Sequence, residues 1–444
     1  MLDVWNNPEH LKSIAVDILR EASKQGASAA EVDIGVNKGF SVTARMGDVE
    51  SVEYNQDKVV DIAVYFGQRT GASSLSDLRP EAIKSAVEAA CHIARFTDKD
   101  SCAGLADKDL LAFHYPDLDL YSPWGITVEE AIDMALTCEG MALAKDKRIT
   151  NSEGVQVSTT EGWHIYGNSH DFIGSYGATR HDISCALIAK QGEDMQRDYN
   201  YTVSCDSRLL ESLEFIAHTT VEKTISRLAA KQLTTRSVPV IFAAEQARSL
   251  LGHFVSAISG GNLYRKASFL LDQLGQRIFP EHIQIDEQPH LLKSLGSAPF
   301  DENGVVTRPN VFIDRGILHS YSLGVYSARK LGMQTTGNAG GVHNLLVSTG
   351  KKDLSALLKT MDTGLLITDL MGQGINLVTG DYSRGATGFW VEQGKIQYPV
   401  EEITIAGNLR DMYAHLVEVG CDVDKRGNIQ TGSILLESMT VAGN

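Results

Sequence analysis

The sequence contains no run of apolar residues that approaches the ~18 needed to cross a membrane. Its first residues, MLDVWNNPEHLKS, also lack the basic segment and the apolar core of a secretory signal. We therefore expect a cytoplasmic protein that has no contact with a membrane.

Positive charge is also scarce. The chain has 40 Lys and Arg residues against 56 Asp and Glu residues, which gives a formal net charge of -16 at pH 7. Proteins that neutralise phosphate groups need a basic surface, and we find no cluster of Lys and Arg that would supply one. The charge balance therefore disfavours direct binding of nucleic acid.

Closely spaced cysteine pairs are missing as well. The six cysteines are scattered along the chain and form no C-x-x-C pair. In a long cytoplasmic chain, such cysteines are typically reduced. We therefore expect free and mostly buried thiols.

What the sequence does contain is enough chain for two domains. Its 444 residues exceed the roughly 250–300 at which a single hydrophobic core stops growing. Hydrophobic residues make up 43% and charged residues 22%, as in ordinary globular proteins.

The first half alternates between helical and strand-like periodicity. Alternating apolar and polar residues predict antiparallel strands over residues 30–75, with turns at Met46-Gly47-Asp48 and near Asn55-Gln56-Asp57, and a meander over residues 148–204. Helical spacing marks four segments: residues 8–24, the stretch after Pro80, residues 131–142 and residues 209–228.

The polar segment KQLTTRSV, residues 231–238, has no clear period, and we place a domain boundary there. This division gives an N-terminal domain of residues 1–232 and a C-terminal domain of residues 237–444. The second domain opens with the apolar strand PVIFAA and continues into a helix from Glu245 to Ser259. After that helix it is glycine-rich and strand-like to the end.

The helix from Glu245 to Ser259 has one apolar face. The residues of this face recur at helical spacing and are predicted to be buried: Ala247, Leu250, Leu251, Phe254, Val255 and Ile258. Arg248, Ser249 and His253 lie largely off that face. A lone histidine beside small residues is usually structural, so periodicity alone does not make His253 a site.

Several long segments resemble the TldD/PmbA peptidase family, formerly described as modulators of DNA gyrase. The similarity extends over nearly the whole chain, in the same order of elements, and is strongest to PmbA-type (TldE) members. The segments that carry it are GHFVSAISGGNLYRKASFLLDQLG, FIDRGILHSYSLGVYSARKLG, TTGNAGG, DLMGQGINLVTGDYSRGATGFWVEQGKIQYPVEEITIAGNL and GNIQTGSILL.

The resemblance implies that TldD subunits carry HExxxH on the corresponding helix. Two histidines and a late cysteine then bind zinc, and the glutamate takes a proton from the water that the metal activates. Aligned on Gly252-His253, this chain has Arg248 at the first histidine, Ser249 at the glutamate and Thr431 at the cysteine. His253 is the one retained ligand. We therefore expect no catalytic residue and no metal site in this chain, and we expect the zinc in a TldD-like partner.

A glycine-rich stretch from Gly372 to Trp390 supplies the candidates for substrate binding. The family resemblance implies that an extended peptide passes through a tunnel between two subunits, and strand addition tolerates varied sequences because it uses main-chain hydrogen bonds. The alternative is that the glycines only shape tight turns. The candidate residues are Gly372, Gly374, Gly380, Asp381 and Arg384.

These observations predict an α+β fold with an N-terminal strand-and-helix half. The resemblance adds a C-terminal, largely antiparallel, barrel-like β domain. It also implies a PmbA/TldE-like subunit that contributes the substrate tunnel rather than the zinc. With a TldD-like metallopeptidase subunit, it would degrade unfolded peptides or mature modified peptides.

Two alternatives stay open at this point. One is an autonomous metallopeptidase in which unrecognised ligands join His253, and the other is a regulator linked to DNA gyrase. The sequence also leaves open whether the isolated chain forms a homodimer.

Overall fold

The computed structural model describes residues 7–443. Helices of the first half are α1 (Pro8–Lys24), α2 (Pro80–Phe96), α3 (Val128–Lys145) and α4 (Leu213–Ser226). Its strands are β1 (Ala29–Arg45), β2 (Asp48–Phe66), β3 (Arg69–Leu75), β4 (Ile149–Asn168), β5 (Phe172–Gln191) and β6 (Asp194–Ser204). The strands form one antiparallel sheet in the order β3-β2-β1-β4-β5-β6.

Helix ends in this half are set by polar side chains next to apolar stripes. The Asn7 side chain accepts the N–H of His10 at the start of α1, and Thr127 and Glu130 form a reciprocal capping box at the start of α3. The apolar stripes of α1 and α2 share one core with β1 and β2, and those of α3 and α4 share another with β4 and β5. Helices thus cover one face of the sheet along most of its length.

Two details of the predicted first half are wrong. The turn expected near Asn55-Gln56-Asp57 does not exist, because β2 is continuous and Gln56 lies opposite Lys38 of β1. The polar side chains there reflect exposure of this part of the hairpin. The last helix begins at Leu213 rather than at 209, because Ser212 accepts the N–H of Phe215 and so caps its first turn.

The turn at Met46-Gly47-Asp48 is confirmed. Met46 and Gly47 both have positive φ, at 53° and 85°, and they connect β1 directly to β2. Two successive residues with positive φ are typical of a tight hairpin turn whose twist matches that of the strands.

The second half begins with β7 (Arg236–Phe242) and α5 (Ala244–Ile258). Its other helices are α6 (Gly260–Tyr264), α7 (Val325–Lys330), α8 (Leu354–Met361) and α9 (Leu409–Ala414). Its other strands are β8 (Ile285–Glu287), β9 (Asn310–Asp314), β10 (Ile317–Leu318), β11 (Leu345–Val347), β12 (Gly364–Met371), β13 (Asp381–Glu392), β14 (Lys395–Asn408), β15 (Leu416–Val419), β16 (Ile429–Gln430) and β17 (Ile434–Ala442).

Five of these strands close into a barrel. The sheet order is β14-β13-β12-β7-β17-β15, and a further pairing between β14 and β17 closes the first five strands, while β15 pairs with β17 outside the ring. All of its pairs are antiparallel except that of β7 with β12. The predicted α+β class and the largely antiparallel, barrel-like C-terminal half are therefore confirmed. The expectation that the chain stays strand-like after α5 is wrong, because α6, α7, α8 and α9 interrupt it.

The two halves meet through a small aromatic core. Tyr166 and Phe172 of the N-terminal sheet pack with Phe300 and Val305 of the second half. Buried Asp301 holds that contact loop by accepting backbone N–H groups of Asn303, Val305 and Ala339. Within residues 7–443, no helix is both long enough and apolar enough to cross a membrane.

Candidate functional site

Helix α5 presents its polar face to β13 and to a loop before β16. Its buried residues are Ala247, Leu250, Leu251, Phe254, Ala257 and Ile258, while Val255 is only partly buried. Five of the six residues predicted to be buried are confirmed; Val255 is only partly buried, and Ala257 is buried in addition. Arg248, Ser249 and His253 lie between the buried core and the surface, which leaves their polar groups free to make specific contacts.

Arg248 is held by an acidic residue from the loop before β16. Its Nε lies 3.5 Å from Oδ2 of Asp424, and its Nη2 donates to the Tyr201 hydroxyl at 2.9 Å. The backbone N–H of Asp424 donates to the carbonyl of Thr431 at 3.1 Å. Thr431 is fully buried, and its hydroxyl donates to the Gly432 carbonyl. Arg248 and Thr431 are therefore linked through Asp424.

Arg426 extends this link into a network of charges. Its Nε donates to Oδ1 of Asp424 at 2.9 Å, and a second guanidinium nitrogen pairs with Glu245 of α5. Glu245 also contacts Nζ of Lys223 on α4 at 3.1 Å. Burial alone would raise the pKa of Asp424, but hydrogen bonds from Arg426 and the charges of Arg426 and Arg248 outweigh it and lower the pKa. Asp424 is therefore ionised at neutral pH.

Ser249 serves as a hydrogen-bond acceptor. Nη1 of Arg384, on β13, donates to Oγ of Ser249 at 2.8 Å. Nη2 of the same guanidinium makes only a long contact of 3.4 Å with the Leu370 carbonyl. A hydroxyl that accepts from a permanently protonated guanidinium has no capacity to act as a general base near pH 7.

The His253 ring is neutral near pH 7, and among residues 7–443 one of its two nitrogens has no hydrogen-bond partner. Burial, with a smaller contribution from the charge of Arg384, lowers the pKa of His253 to about 4. Its Nε2 is buried without a hydrogen-bond partner, and its ring centroid lies 5.9 Å from that of Tyr382. Among residues 7–443, the Tyr382 hydroxyl likewise has no hydrogen-bond partner of good geometry. Burial raises the pKa of Tyr382 to about 12, although the nearby guanidinium of Arg384 opposes this shift.

Three domains of one known protein family match consecutive segments of the chain. Domain 1 of the PmbA/TldA metallopeptidases matches residues 30–94, their central domain matches residues 121–230 and their C-terminal domain matches residues 235–443. The chain belongs to the PmbA/TldD metallopeptidase family.

Individual members of the PmbA/TldD family are similar over their full length. A metalloprotease PmbA homolog from Haemophilus influenzae is 50% identical, with 97% of this chain and 95% of that protein covered. The metalloprotease PmbA of Escherichia coli O157:H7 is 49% identical, with the same coverage. A crystal structure from Bacteroides thetaiotaomicron, described as a candidate modulator of DNA gyrase, has a TM-score of 0.92 and 27% identity. That alignment covers 98% of this chain and 99% of the other.

The metal that the family name implies does not fit the residues of α5 in this PmbA/TldD chain. The guanidiniums of Arg248 and Arg384 cannot ligate a cation. The hydroxyl of Ser249 already accepts a hydrogen bond from Arg384. Among residues 7–443, no group of three or more His, Cys, Asp and Glu side chains is arranged to hold a metal ion. His253 would therefore be a single ligand without companions.

The candidates from the glycine-rich stretch lie in different surroundings in the structure. Arg384 donates a hydrogen bond to Ser249 of α5, as described above. Gly372 and Gly380 have positive φ at the two ends of the loop from β12 to β13, and a Cβ on Gly374 would lie 2.0 Å from the Ser383 carbonyl oxygen. Asp381 instead accepts the Thr379 hydroxyl at 2.6 Å. Backbone geometry thus accounts for the three glycines.

Sequence reasoning missed four residues of this site. Two of them, Asp424 and Arg426, form a D-x-R motif in which the Arg426 guanidinium binds the Asp424 carboxylate. A search for closely spaced opposite charges just before Thr431 would have found this pair. Tyr201 and Tyr382 belong to strands β6 and β13, and local sequence gives no signal that either reaches α5.

Proposed function

We propose that this chain is the subunit of a two-subunit peptidase that does not hold the zinc, and that a TldD-like partner holds it. The observation that carries the proposal is the pair of guanidiniums at the chemical end of α5, where Arg248 pairs with Asp424 and Arg384 binds Ser249. These contacts fill two positions at which a zinc peptidase needs a ligand and a base. The family includes both PmbA and TldD proteins, which supplies a partner of the required kind.

We place the contribution of this chain in substrate binding. The loop from Gly372 to Gly374 is exposed, and it lies beside the strand that carries Arg384. An extended peptide that reached this edge could pair with backbone groups, and such strand addition depends little on the sequence of the peptide. Unfolded or modified peptides are the substrate class that suits such a surface. All six cysteines are free thiols, which supports a reducing compartment such as the cytoplasm.

The decisive experiment separates the isolated chain from the mixed pair. Zinc content is measured by mass spectrometry, and cleavage of an unfolded peptide is followed for the chain alone, for a TldD-like protein alone and for both together. We expect less than a tenth of an equivalent of zinc in this chain, no cleavage by it and full cleavage only by the mixture. Stoichiometric zinc together with cleavage by the isolated chain would overturn the proposal.

A second candidate function is an autonomous metallopeptidase, and the names of two similar relatives, both described as metalloproteases, favour it. It requires other ligands to join His253 in a rearranged site. Under this alternative, His253→Ala abolishes cleavage by the isolated chain, whereas under our proposal the isolated chain has no cleavage to lose. A matched control is His319→Ala, because His319 is half-exposed and remote from α5 in the chain.

A further inference from the structure

Unpartnered polar atoms are concentrated around α5. Residues 7–443 contain eight buried side-chain nitrogen and oxygen atoms without a hydrogen-bond partner, and half of them belong to this site. A buried polar group without a partner costs about 1–3 kcal/mol. The atoms at the site are Nε2 of His253, the hydroxyl of Tyr382, Nε of Arg384, and Nε of Arg248, which has no hydrogen bond but lies 3.5 Å from its ion-pair partner Asp424. A concentration of this kind is expected where a protein sacrifices stability for a ligand.

The charge of Arg384 has no counterpart in the described chain. Among residues 7–443, no carboxylate forms a salt bridge with Arg384, whereas Arg248 is paired with Asp424. Nη1 donates to Ser249, and Nη2 makes a 3.4 Å hydrogen bond to the Leu370 carbonyl. Nε has no hydrogen-bond partner among residues 7–443, so the edge formed by Nε and Nη2 is the one left for a ligand. This edge presents two parallel N–H groups, which match the two oxygens of a carboxylate.

Neighbouring groups favour a single negative charge. His253 is neutral near pH 7, so Arg384 supplies one uncompensated positive charge, which suits a carboxylate better than a doubly charged phosphate. The Tyr382 side chain is 2% exposed, and its hydroxyl can donate to the same anion. A Cβ added to Gly252 would meet no atom within 4 Å, so α5 is open at Gly252, the residue that precedes His253.

We propose that Arg384, Tyr382, His253 and Ser249, here called the Arg384 cluster, bind the C-terminal carboxylate of a peptide. Ser249 orients the guanidinium, the Nε and Nη2 edge binds both carboxylate oxygens, and Tyr382 donates a third hydrogen bond. The inference rests on the proposed function, because a peptide must reach α5. The inference adds that a bound peptide places its free C-terminus against this subunit.

The test compares two forms of one peptide on the full chain. An unstructured decapeptide with an N-terminal fluorophore is titrated as the free acid and as the C-terminal amide, and binding is read by anisotropy. We expect the acid to bind about tenfold more tightly, as a charge-assisted bidentate contact should provide. Arg384→Met should equalise the two forms, and Arg384→Lys should retain a preference of about threefold because it keeps the charge without the fork.

A matched control removes a different arginine. Arg20 on α1 is exposed and pairs with Asp17, so Arg20→Met should leave the preference for the acid unchanged. Tyr382→Phe removes only an unpartnered hydroxyl, so it should weaken acid binding about threefold without unfolding the chain. Acetate should compete with the acid peptide, and inorganic phosphate should compete no better than acetate.

Several results would overturn the inference. They are equal affinity of acid and amide, a preference that survives Arg384→Met, absence of binding by both forms at millimolar peptide, and phosphate competing more strongly than acetate. The proposed function fails separately, when mixing with a TldD-like protein gives no cleavage. A preference for the acid without cleavage by the mixture would retain the Arg384 cluster and reject the two-subunit peptidase.

Discussion

Nε of Arg248 lies 3.5 Å from Oδ2 of Asp424, so an ion pair joins α5 to the loop that leads to Thr431. The family resemblance puts a zinc ligand at each end of this link in TldD subunits. A metal there would tie the helix to the late strand. In this chain, Asp424 connects α5 to the segment at Thr431 through its ion pair with Arg248 and its backbone hydrogen bond to Thr431. This connection does not depend on a metal ion.

The first prediction concerns this ion pair. Asp424→Asn leaves Arg248 and Arg426 without their shared carboxylate, whose side chain is 4% exposed, so it should lower the free energy of unfolding by about 3 kcal/mol. Arg248→Met leaves Asp424 paired with Arg426 and should cost about 1 kcal/mol. Urea denaturation measures both.

Asp17→Asn is the control for that experiment. Asp17 forms an exposed pair with Arg20 on α1, so its loss should cost less than about 0.5 kcal/mol. An effect of Asp424→Asn no larger than that of Asp17→Asn would show that the link between α5 and the late loop carries no stability.

A second prediction uses the pH dependence of stability at Asp301. Burial raises the pKa of Asp301 to about 6, although three backbone N–H groups oppose the shift. Because the folded pKa lies above the unfolded value near 3.9, the contribution of Asp301 is fully present below pH 4 and is lost as the pH rises through 6. The loss amounts to about 3 kcal/mol.

The measurement compares the chain with Asp301→Asn between pH 4 and pH 7. The difference in free energy of unfolding, natural chain minus variant, should fall by about 2 kcal/mol over this range because the amide does not titrate and part of the loss occurs below pH 4. A difference that stays constant with pH would mean that the carboxyl has an ordinary pKa in the folded chain.

The third prediction contrasts two buried tyrosines. The hydroxyl of Tyr413 donates to the Leu250 carbonyl at 2.9 Å, whereas that of Tyr382 has no partner. Tyr413→Phe should therefore cost about 1 kcal/mol of stability, and Tyr382→Phe should cost nothing or stabilise the fold. Thermal unfolding of the two variants decides this, and equal losses would contradict the assignment of Tyr382 to a ligand.

The fourth prediction concerns a glycine inside α5. A Cβ on Gly252 would meet no atom within 4 Å, so Gly252→Ala should stabilise the helix by about 0.5–1 kcal/mol. Gly140 of α3 is the matched control, since it is also helical and open on the outside. Both variants should raise stability, and only Gly252→Ala should weaken binding of the acid peptide by narrowing the space beside the Arg384 cluster. Equal peptide affinity in both variants would mean that Gly252 does not border the ligand.

Much of the fold follows from local pattern. The stripes of α1, α3 and α5 and the turn at Met46-Gly47 are visible because periods of 3.6 and 2 residues and positive φ leave marks within a few neighbours. The false turn at Asn55–Asp57 came from the same logic, because polar residues also occur in a strand that protrudes into solvent. The barrel-like character of the C-terminal half came from the family resemblance. Its closure through β14 and β17 was seen only in the structure, since strands that meet across the fold carry no local signal.

The sequence by itself indicated that α5 is a core helix, because its apolar residues recur at helical spacing. The family resemblance implies that Arg248, Ser249 and Thr431 stand where TldD subunits have their two ligands and their base. Side-chain chemistry adds that arginine cannot ligate a metal and that serine is no base at neutral pH. Only the tertiary structure decided what those residues do instead. Arg384 and Ser249 are 135 residues apart, and the packing of α5 beside barrel strand β13 brings them to 2.8 Å. Within residues 7–443, the same packing leaves the guanidinium of Arg384 without a carboxylate partner, because burial and partner geometry are properties of the folded chain.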